Sequence, residues 1–287
     1  MSNKLGVVGN GNIGSALGQV FADCGWRVEY FDAITSKRTV DSLSELADKS
    51  DVIIIAAPSW VNREVAEGLK PSAKGKLVLT VAKGVEAGFV TMDKVLEQVA
   101  DGKFDHGVVY GPMLAAEIAK GKPAALLVAT KGKQWTTGLS ANSQLTIHYC
   151  EDPYSVALCG ALKNIYAVAL GINDGLELGH NSKGALAVAI IEEFGRLLQD
   201  LGGDPKQALG LAGIGDILAT GWSDSSFNHR IGRLIVKDPA GSVPRGEGIS
   251  SLSEVSSKLK LADYPVIQTL YSIVFEGTQP QALRKLV

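Results

Sequence analysis

Lys4-Leu5-Gly6-Val7-Val8-Gly9-Asn10-Gly11-Asn12-Ile13-Gly14 is the stretch that decides the fold. Lys4–Gly9 reads as a short strand, and Ile13–Cys24 carries helical apolar spacing at Ile13, Leu17, Val20 and Phe21. Between them lies G-x-G-x-x-G, a pattern that is weak alone and specific when a strand runs into it and a helix out of it. Gly9 permits a tight turn, Gly11 lets backbone approach a pyrophosphate, and Gly14 lets helix pack close on strand. The first turn of the helix adds free N–H groups and partial positive charge. The expectation is a dinucleotide cradle made by Gly9, Asn10, Gly11, Asn12, Ile13 and Gly14.

Outward from this turn, Arg27–Phe31 is a second strand and Asp32 ends it, at roughly the spacing expected of a ribose-binding carboxylate. A carboxylate there accepts ribose hydroxyls and repels a 2′-phosphate, so NAD is favoured. Lys37-Arg38 leaves NADP as the alternative. Asp51–Ala57, stopped by Pro58, is a continuous apolar run of the kind buried on both sheet faces. Lys76–Val81, Gly107–Tyr110 and Ala124–Ala129 read likewise, and their alternation with helical stretches predicts a parallel sheet. The pattern changes at Glu151–Pro153. Beyond it, Ser155–Leu178, Ser182–Leu201, Pro205–Thr220, Ile231–Val236, Leu252–Leu261 and Pro265–Phe275 carry helical spacing, and Asp238–Gly248 reads as a loop. The predicted class is α/β: a Rossmann-type doubly wound domain over residues 1–152, then an all-helical substrate and catalytic domain over 153–287.

Composition narrows the function. In 287 residues, 28 Lys and Arg against 30 Asp and Glu give a net charge of −2, which excludes nucleic-acid binding as the main task. An apolar share of 46% with 20% charged residues is that of a packed globule. Cys24, Cys150 and Cys159 lack C-x-x-C spacing, and the four His lack metal-ligand spacing, so neither a disulfide framework nor a metal site is expected. No signal-peptide pattern and no membrane span is read, which points to the cytoplasm. Long apolar helices suggest a homodimer, by analogy.

Hydride chemistry needs a partner that moves the alcohol proton. Lys163 interrupts an apolar helical stretch, Val156–Leu170, where a solvated lysine would not sit, and burial drives a lysine pKa down toward working pH. Asp216 and Thr220, four residues apart, share one helix face that could meet it.

Further motifs fall in a recognisable order. They are Ala57-Pro58-Ser59, Lys83-Gly84-Val85-Glu86, Gly111-Pro112 with Ala116-Glu117 and Gly121-Lys122-Pro123, Ala161-Leu162-Lys163-Asn164, Gly171 to Leu176, Gly210 to Asp216 with Thr220, and Glu247-Gly248. In this order the chain resembles the NAD-dependent glycerol-3-phosphate dehydrogenases, which interconvert sn-glycerol 3-phosphate and dihydroxyacetone phosphate. The resemblance implies Lys163 as general acid and base, Asp216 as its anchor and Lys83 as a second cation near the substrate oxygen. It implies Asn164, Thr220, Ser226, Asn228 and Arg230 at the substrate, and Pro58, Lys83 and Glu247 beside the glycine turn and Asp32 at the cofactor.

Two departures stand out. Ala33–Ser50 is a trimmed connection, and Phe227 stands where the family motif S-R-N-R has the arginine that grips the substrate phosphate. An aromatic ring cannot pair with a dianion. Either Arg230 or Arg233 reaches in from the next helical turn, or the substrate is an unphosphorylated ketone or keto acid. A non-catalytic NAD(H)-sensing module is the reading from another class, and the retained Lys83, Lys163, Asn164, Asp216 and Thr220 argue against it.

Overall fold

The computed structural model describes residues 3–135, 144–224 and 226–287. The strands are β1 Lys4–Val8, β2 Arg27–Phe31, β3 Val52–Ile55, β4 Leu77–Thr80, β5 Val85–Glu86, β6 Val90–Thr91, β7 Asp105–Tyr110, β8 Ala124–Thr130 and β9 Leu145–Cys150. The α-helices are α1 Asn12–Asp23, α2 Leu43–Asp48, α3 Asn62–Leu69, α4 Met92–Ala100, α5 Ala115–Ile118 and α6 Pro153–Gly175. They continue with α7 Gly179–Asp200, α8 Asp216–Gly221, α9 Phe227–Lys237, α10 Glu247–Ser256 and α11 Pro265–Phe275. The chain divides into two compact units, Met1–Glu86 with Val90–Ala157 and Ala87–Phe89 with Leu158–Val287.

The first unit holds a seven-stranded sheet in the order β2-β1-β3-β4-β7-β8-β9. The period of two in strands sorts its apolar residues onto two faces. Val7, Ile54 and Leu79 enter a core with Leu17, Val20 and Phe21 of α1, whereas Val8, Ile53, Ile55 and Val78 enter a second core with Leu46, Leu69 and Leu96. Both faces are therefore covered, as the apolar run of β3 requires. The strand order reverses between β1 and β3, which puts a ligand crevice outside the carboxyl ends of these strands.

Three expectations are corrected. The sheet is not wholly parallel: β8 pairs antiparallel to β7, because the connection between them contains only the one-turn α5 and no full crossover helix. β9 extends the sheet parallel to β8, where no strand is expected from the sequence. Its polar Thr146 and His148 interrupt the apolar pattern because it is an edge strand buried on one side only. Pro205–Thr220 is not one helix. It is a 3-10 segment, Pro205–Leu209, a wide turn at Leu211–Gly215 with non-helical Gly213, then α8. A Cβ at Gly213 would lie 2.3 Å from the Ala208 carbonyl oxygen, so the break needs glycine.

In the second unit every regular element from Leu158 onward is helical among the described residues. α6 is long and apolar enough to cross a membrane by length and composition, yet its apolar window is wholly buried within the protein. It crosses α9 at backbone contact: a Cβ at Gly171 would sit 2.1 Å from the His229 carbonyl oxygen, and one at Gly232 2.2 Å from that of Val168. The expected loop at Asp238–Gly248 ends one residue before Glu247, which begins α10.

Candidate active site

The glycine turn sits at the carboxyl end of β1. Gly9 has φ +98°, and a Cβ there would strike the Ala56 carbonyl oxygen at 2.6 Å. A Cβ at Gly14 would lie 1.9 Å from the Gly9 carbonyl oxygen, which is the close helix–strand approach the motif serves. Gly11 caps α1 and faces open space, so its backbone can be approached from outside. Asn12 and Ile13 form the first helical turn, with Ile13 packed on the core. The Asn10 backbone N–H donates to Asp32 Oδ2 at 2.7 Å and Ile34 N–H to Oδ1 at 2.8 Å, so the strand-end acid and the turn are one structure. Arg38 donates to the Asp32 carbonyl and lies 4.4 Å over the Phe31 ring, beside that acid. Gly11 leaves its backbone open to a pyrophosphate, and the Asp32 oxygens, each accepting one backbone N–H, keep lone pairs that could accept from a ribose hydroxyl.

Pro58 ends the turn after β3, and its carbonyl accepts from Asn62 Nδ2 at 2.8 Å. Lys83 follows β4, half-buried, its ammonium 5.5 Å over the Tyr110 ring. These two residues and the glycine turn thus lie near the carboxyl ends of three adjacent parallel strands.

In the second unit, Lys163 is only 5% exposed. Its Nζ donates to Asp216 Oδ1 at 3.2 Å and to Thr220 Oγ1 at 2.9 Å. Thr220 Oγ1 in turn donates to the Asp216 carbonyl at 2.6 Å, so α8 presents carboxylate and hydroxyl together to the ammonium. An ion pair with both partners this buried is costly to assemble and more costly to halve. Next along α6, Asn164 Nδ2 donates to Glu247 Oε2 at 3.2 Å. Gly248 N–H donates to Asn228 Oδ1 at 3.1 Å. A Cβ at Gly248 would meet the Asn164 carbonyl oxygen at 2.5 Å, so α10 enters between α6 and α9. The structure therefore forms two neighbouring polar groups, Lys163 with Asp216 and Thr220 where α6 meets α8, and Asn164 with Glu247 and Asn228 where α6, α10 and α9 meet.

Ser226 and Arg230 lie at and beyond the start of α9. The Ser226 hydroxyl is engaged as the N-cap of α9, accepting from His229 N–H at 3.4 Å. Arg230 is exposed, 5.8 Å over the Phe227 ring, and lines an open cleft of about 760 Å³ with Asp174, Glu177, Arg233 and Lys237 that Lys163 and Asn164 do not line. Phe227 is 50% exposed, and its ring edge lies 3.3 Å from where a Cβ of Gly246 would be. It thus stands beside the Glu247–Gly248 entry.

Sequence reasoning assigned no role to Asp174 and Lys183, and marked His229 only as a neighbour of the substrate segment. Asp174 Oδ2 accepts from Lys183 Nζ at 2.7 Å and bonds His229 Nε2 at 2.8 Å. Burial pushes the Asp174 carboxyl up, but hydrogen bonds from Lys183 and His229 hold it below the ordinary range. A lysine and a histidine in helices of mixed polarity give no periodic signal, so only the fold reveals them.

A glycine-turn dinucleotide fold carrying a helical unit with a buried lysine, aspartate and threonine defines a nicotinamide-dependent dehydrogenase class. The family models described as NAD-dependent glycerol-3-phosphate dehydrogenase N-terminus and C-terminus match residues 29–136 and 152–285. Glycerol-3-phosphate dehydrogenase [NAD(P)+] of Neisseria meningitidis is 32% identical over 97% of this chain and 95% of its own. That of Streptomyces avermitilis is 34% identical over 99% and 96%. The crystal structure of the Coxiella burnetii glycerol-3-phosphate dehydrogenase superposes with a TM-score of 0.86 at 26% identity, covering 99% of this chain and 98% of that one. The chain belongs to the NAD-dependent glycerol-3-phosphate dehydrogenase family.

Proposed function

We propose that this protein is an NAD(P)-dependent oxidoreductase that interconverts sn-glycerol 3-phosphate and dihydroxyacetone phosphate. The observation that carries the reading is Lys163, buried in an apolar helix and bonded to Asp216 and Thr220, in a chain of this family. Bound nicotinamide dinucleotide supplies a hydride to the ketone carbon or takes it from the alcohol. Gly9, Asn10, Gly11, Asn12, Ile13 and Gly14 hold its pyrophosphate, Asp32 its ribose, and Pro58, Lys83 and Glu247 the remainder.

In reduction, Lys163 Nζ gives a proton to the ketone oxygen as that oxygen becomes the hydroxyl. In oxidation it takes the proton back. Asp216 and Thr220 hold the ammonium by charge-assisted and neutral hydrogen bonds, which fixes its direction before substrate arrives. Lys83 is a second cation for the developing negative oxygen. Asn164, Asn228 and the Ser226 hydroxyl bind substrate oxygens, and Arg230, whose guanidinium lies 5.8 Å over the Phe227 ring, is the cation offered to the tail position. The cytoplasm is the proposed compartment and a homodimer the proposed form.

Phe227 favours a second reading, reduction of a small unphosphorylated ketone or keto acid. NADH oxidation measured with dihydroxyacetone phosphate and with a panel of unphosphorylated ketones separates the two. Turnover with the phosphate ester supports the first reading, and turnover confined to unphosphorylated ketones replaces it with the second. Tight NADH binding without any turnover would leave a sensing module.

A further inference from the structure

We propose that Asp174, Lys183 and His229 form a latch that positions the substrate-binding Asn228, which makes His229 a positioning residue for the reaction. The inference rests on the proposed function, because it gives the latch its purpose.

The latch holds two points, Trp222 after α8 and the first turn of α9. At the first, Trp222 lies under the Lys183 ammonium, 4.6 Å from Nζ to the ring centre. At the second, His229 bonds Asp174 at 2.8 Å. Lys183 and His229 meet on the same oxygen of Asp174, so a single carboxylate on α6 ties α7 and α9 together. Ser226 and Asn228 lie between the two pinned aromatic groups. A carboxylate can only accept, so the imidazole proton is on Nε2.

The anchor is also registered to the chemistry. Asp174 is eleven residues beyond Lys163 on the same α6, about three turns, so the two lie on one side of the helix. The glycine crossing of α6 and α9 brings the His229 backbone against α6, close enough for the ring to reach Asp174. One rigid helix therefore carries the proton-transfer lysine, Asn164 and the anchor for Asn228.

The latch tolerates a buried imperfection. His229 is 2% exposed, and its Nδ1 has no hydrogen-bond partner among the described residues. The neighbouring Asn173 Nδ2 is equally without one, although Ser182 bonds the Asn173 oxygen at 2.7 Å. Buried polar atoms without partners are rare enough to need a reason. Here the Nε2 bond to Asp174 fixes the ring in an orientation that leaves Nδ1 unserved.

The test is steady-state kinetics with dihydroxyacetone phosphate and NADH. His229→Leu should raise the KM for dihydroxyacetone phosphate by about tenfold and change kcat and the NADH Kd by less than about twofold. His229→Arg, the residue of the S-R-N-R motif at this position, and His229→Gln each return a donor toward Asp174 and should restore KM to within about threefold. In an Asn228→Ala background, His229→Leu should add nothing further to KM, because the latch acts through that side chain. Should His229→Leu fail to fold, Trp222→Leu at the half-exposed point after α8 should still raise KM severalfold. Multiplicative effects of the two substitutions, or an unchanged KM, would overturn the proposal.

Failure of the proposed function reads differently. If the wild-type protein turns over no dihydroxyacetone phosphate, hydrogen–deuterium exchange at residues 226–232 decides the latch alone. Faster exchange there in His229→Leu, with α6 unchanged, supports it, and unchanged protection overturns it.

Discussion

The two regions that the family chemistry needs are built in opposite ways. The glycine turn is contiguous in sequence and made of backbone, and its residues matter for the atoms they lack. The polar groups of the helical unit are assembled from α6, α8, α9 and α10, and their residues matter for the polar atoms they carry. A backbone site fails when bulk is added, whereas a side-chain site fails when one partner is removed and the other stays buried and unpaired. Substitutions that obey or break this contrast can be ranked.

The largest effect is expected at Gly14. Gly14→Ala places a methyl group 1.9 Å from a carbonyl oxygen, a clash that no side-chain movement relieves. It should abolish NADH binding and destabilise the protein by about 3 kcal/mol or more, read by urea unfolding. Wild-type stability would break the contrast.

Next comes pH, which distinguishes the two units through a buried carboxyl in each. Burial pushes Asp93 in the first unit up to about 6 and Glu193 in the second up to about 7. Glu193 sits beneath α11, accepting from the Val266 and Ile267 N–H groups at 2.7 and 3.1 Å. Both folded pKa values lie above ordinary carboxylate values near 4, so the folded state binds the proton more tightly. Their stabilisation is fully present below pH about 4 and is lost as pH rises through about 6 for Asp93 and about 7 for Glu193, about 3 kcal/mol each. Urea unfolding between pH 4 and 8 should show the fall, with Asp93→Asn and Glu193→Gln each flattening its own part. A flat wild-type profile would contradict both assignments.

Gly11 supplies a smaller and cleaner effect, because a Cβ there meets nothing within 4 Å. Gly11→Ala should leave the melting temperature within about 2 °C while weakening NADH binding about tenfold in a fluorescence titration, as the methyl occupies the pyrophosphate's approach. Equal affinity would show that the open face of the turn is not where the cofactor lies.

The smallest expected change is at Phe227. Phe227→Arg restores the cation of the family motif and should raise kcat/KM for dihydroxyacetone phosphate about fivefold, with no gain for an unphosphorylated ketone. A gain for both, or for neither, would remove position 227 from the substrate tail.

How far the sequence could be read follows the same division. The first βαβ segment was legible because its signals are local: apolar runs, a stop at Pro58, a glycine spacing. β9 was not, since Thr146 and His148 give an edge strand a mixed pattern, and the reversal of β8 depends on a connection too short for a crossover helix. In the helical unit, Lys163 was legible as a charge inside an apolar stretch, and Asp216 with Thr220 by their spacing of four. The bond between Asp174 and His229 was not, because it joins residues 55 apart whose only shared signal is their place at the α6–α9 crossing. Ser226 also caps α9 through its hydroxyl oxygen, which its position before Phe227 fits and which leaves the O–H free to donate.

Proton transfer at Lys163 is the step on which turnover depends, and Lys163→Met removes it, with kcat for NADH oxidation by dihydroxyacetone phosphate measured beside the NADH Kd. The expected result is a loss of about a thousandfold in kcat with the NADH Kd unchanged. Turnover within a few-fold of wild type would contradict it.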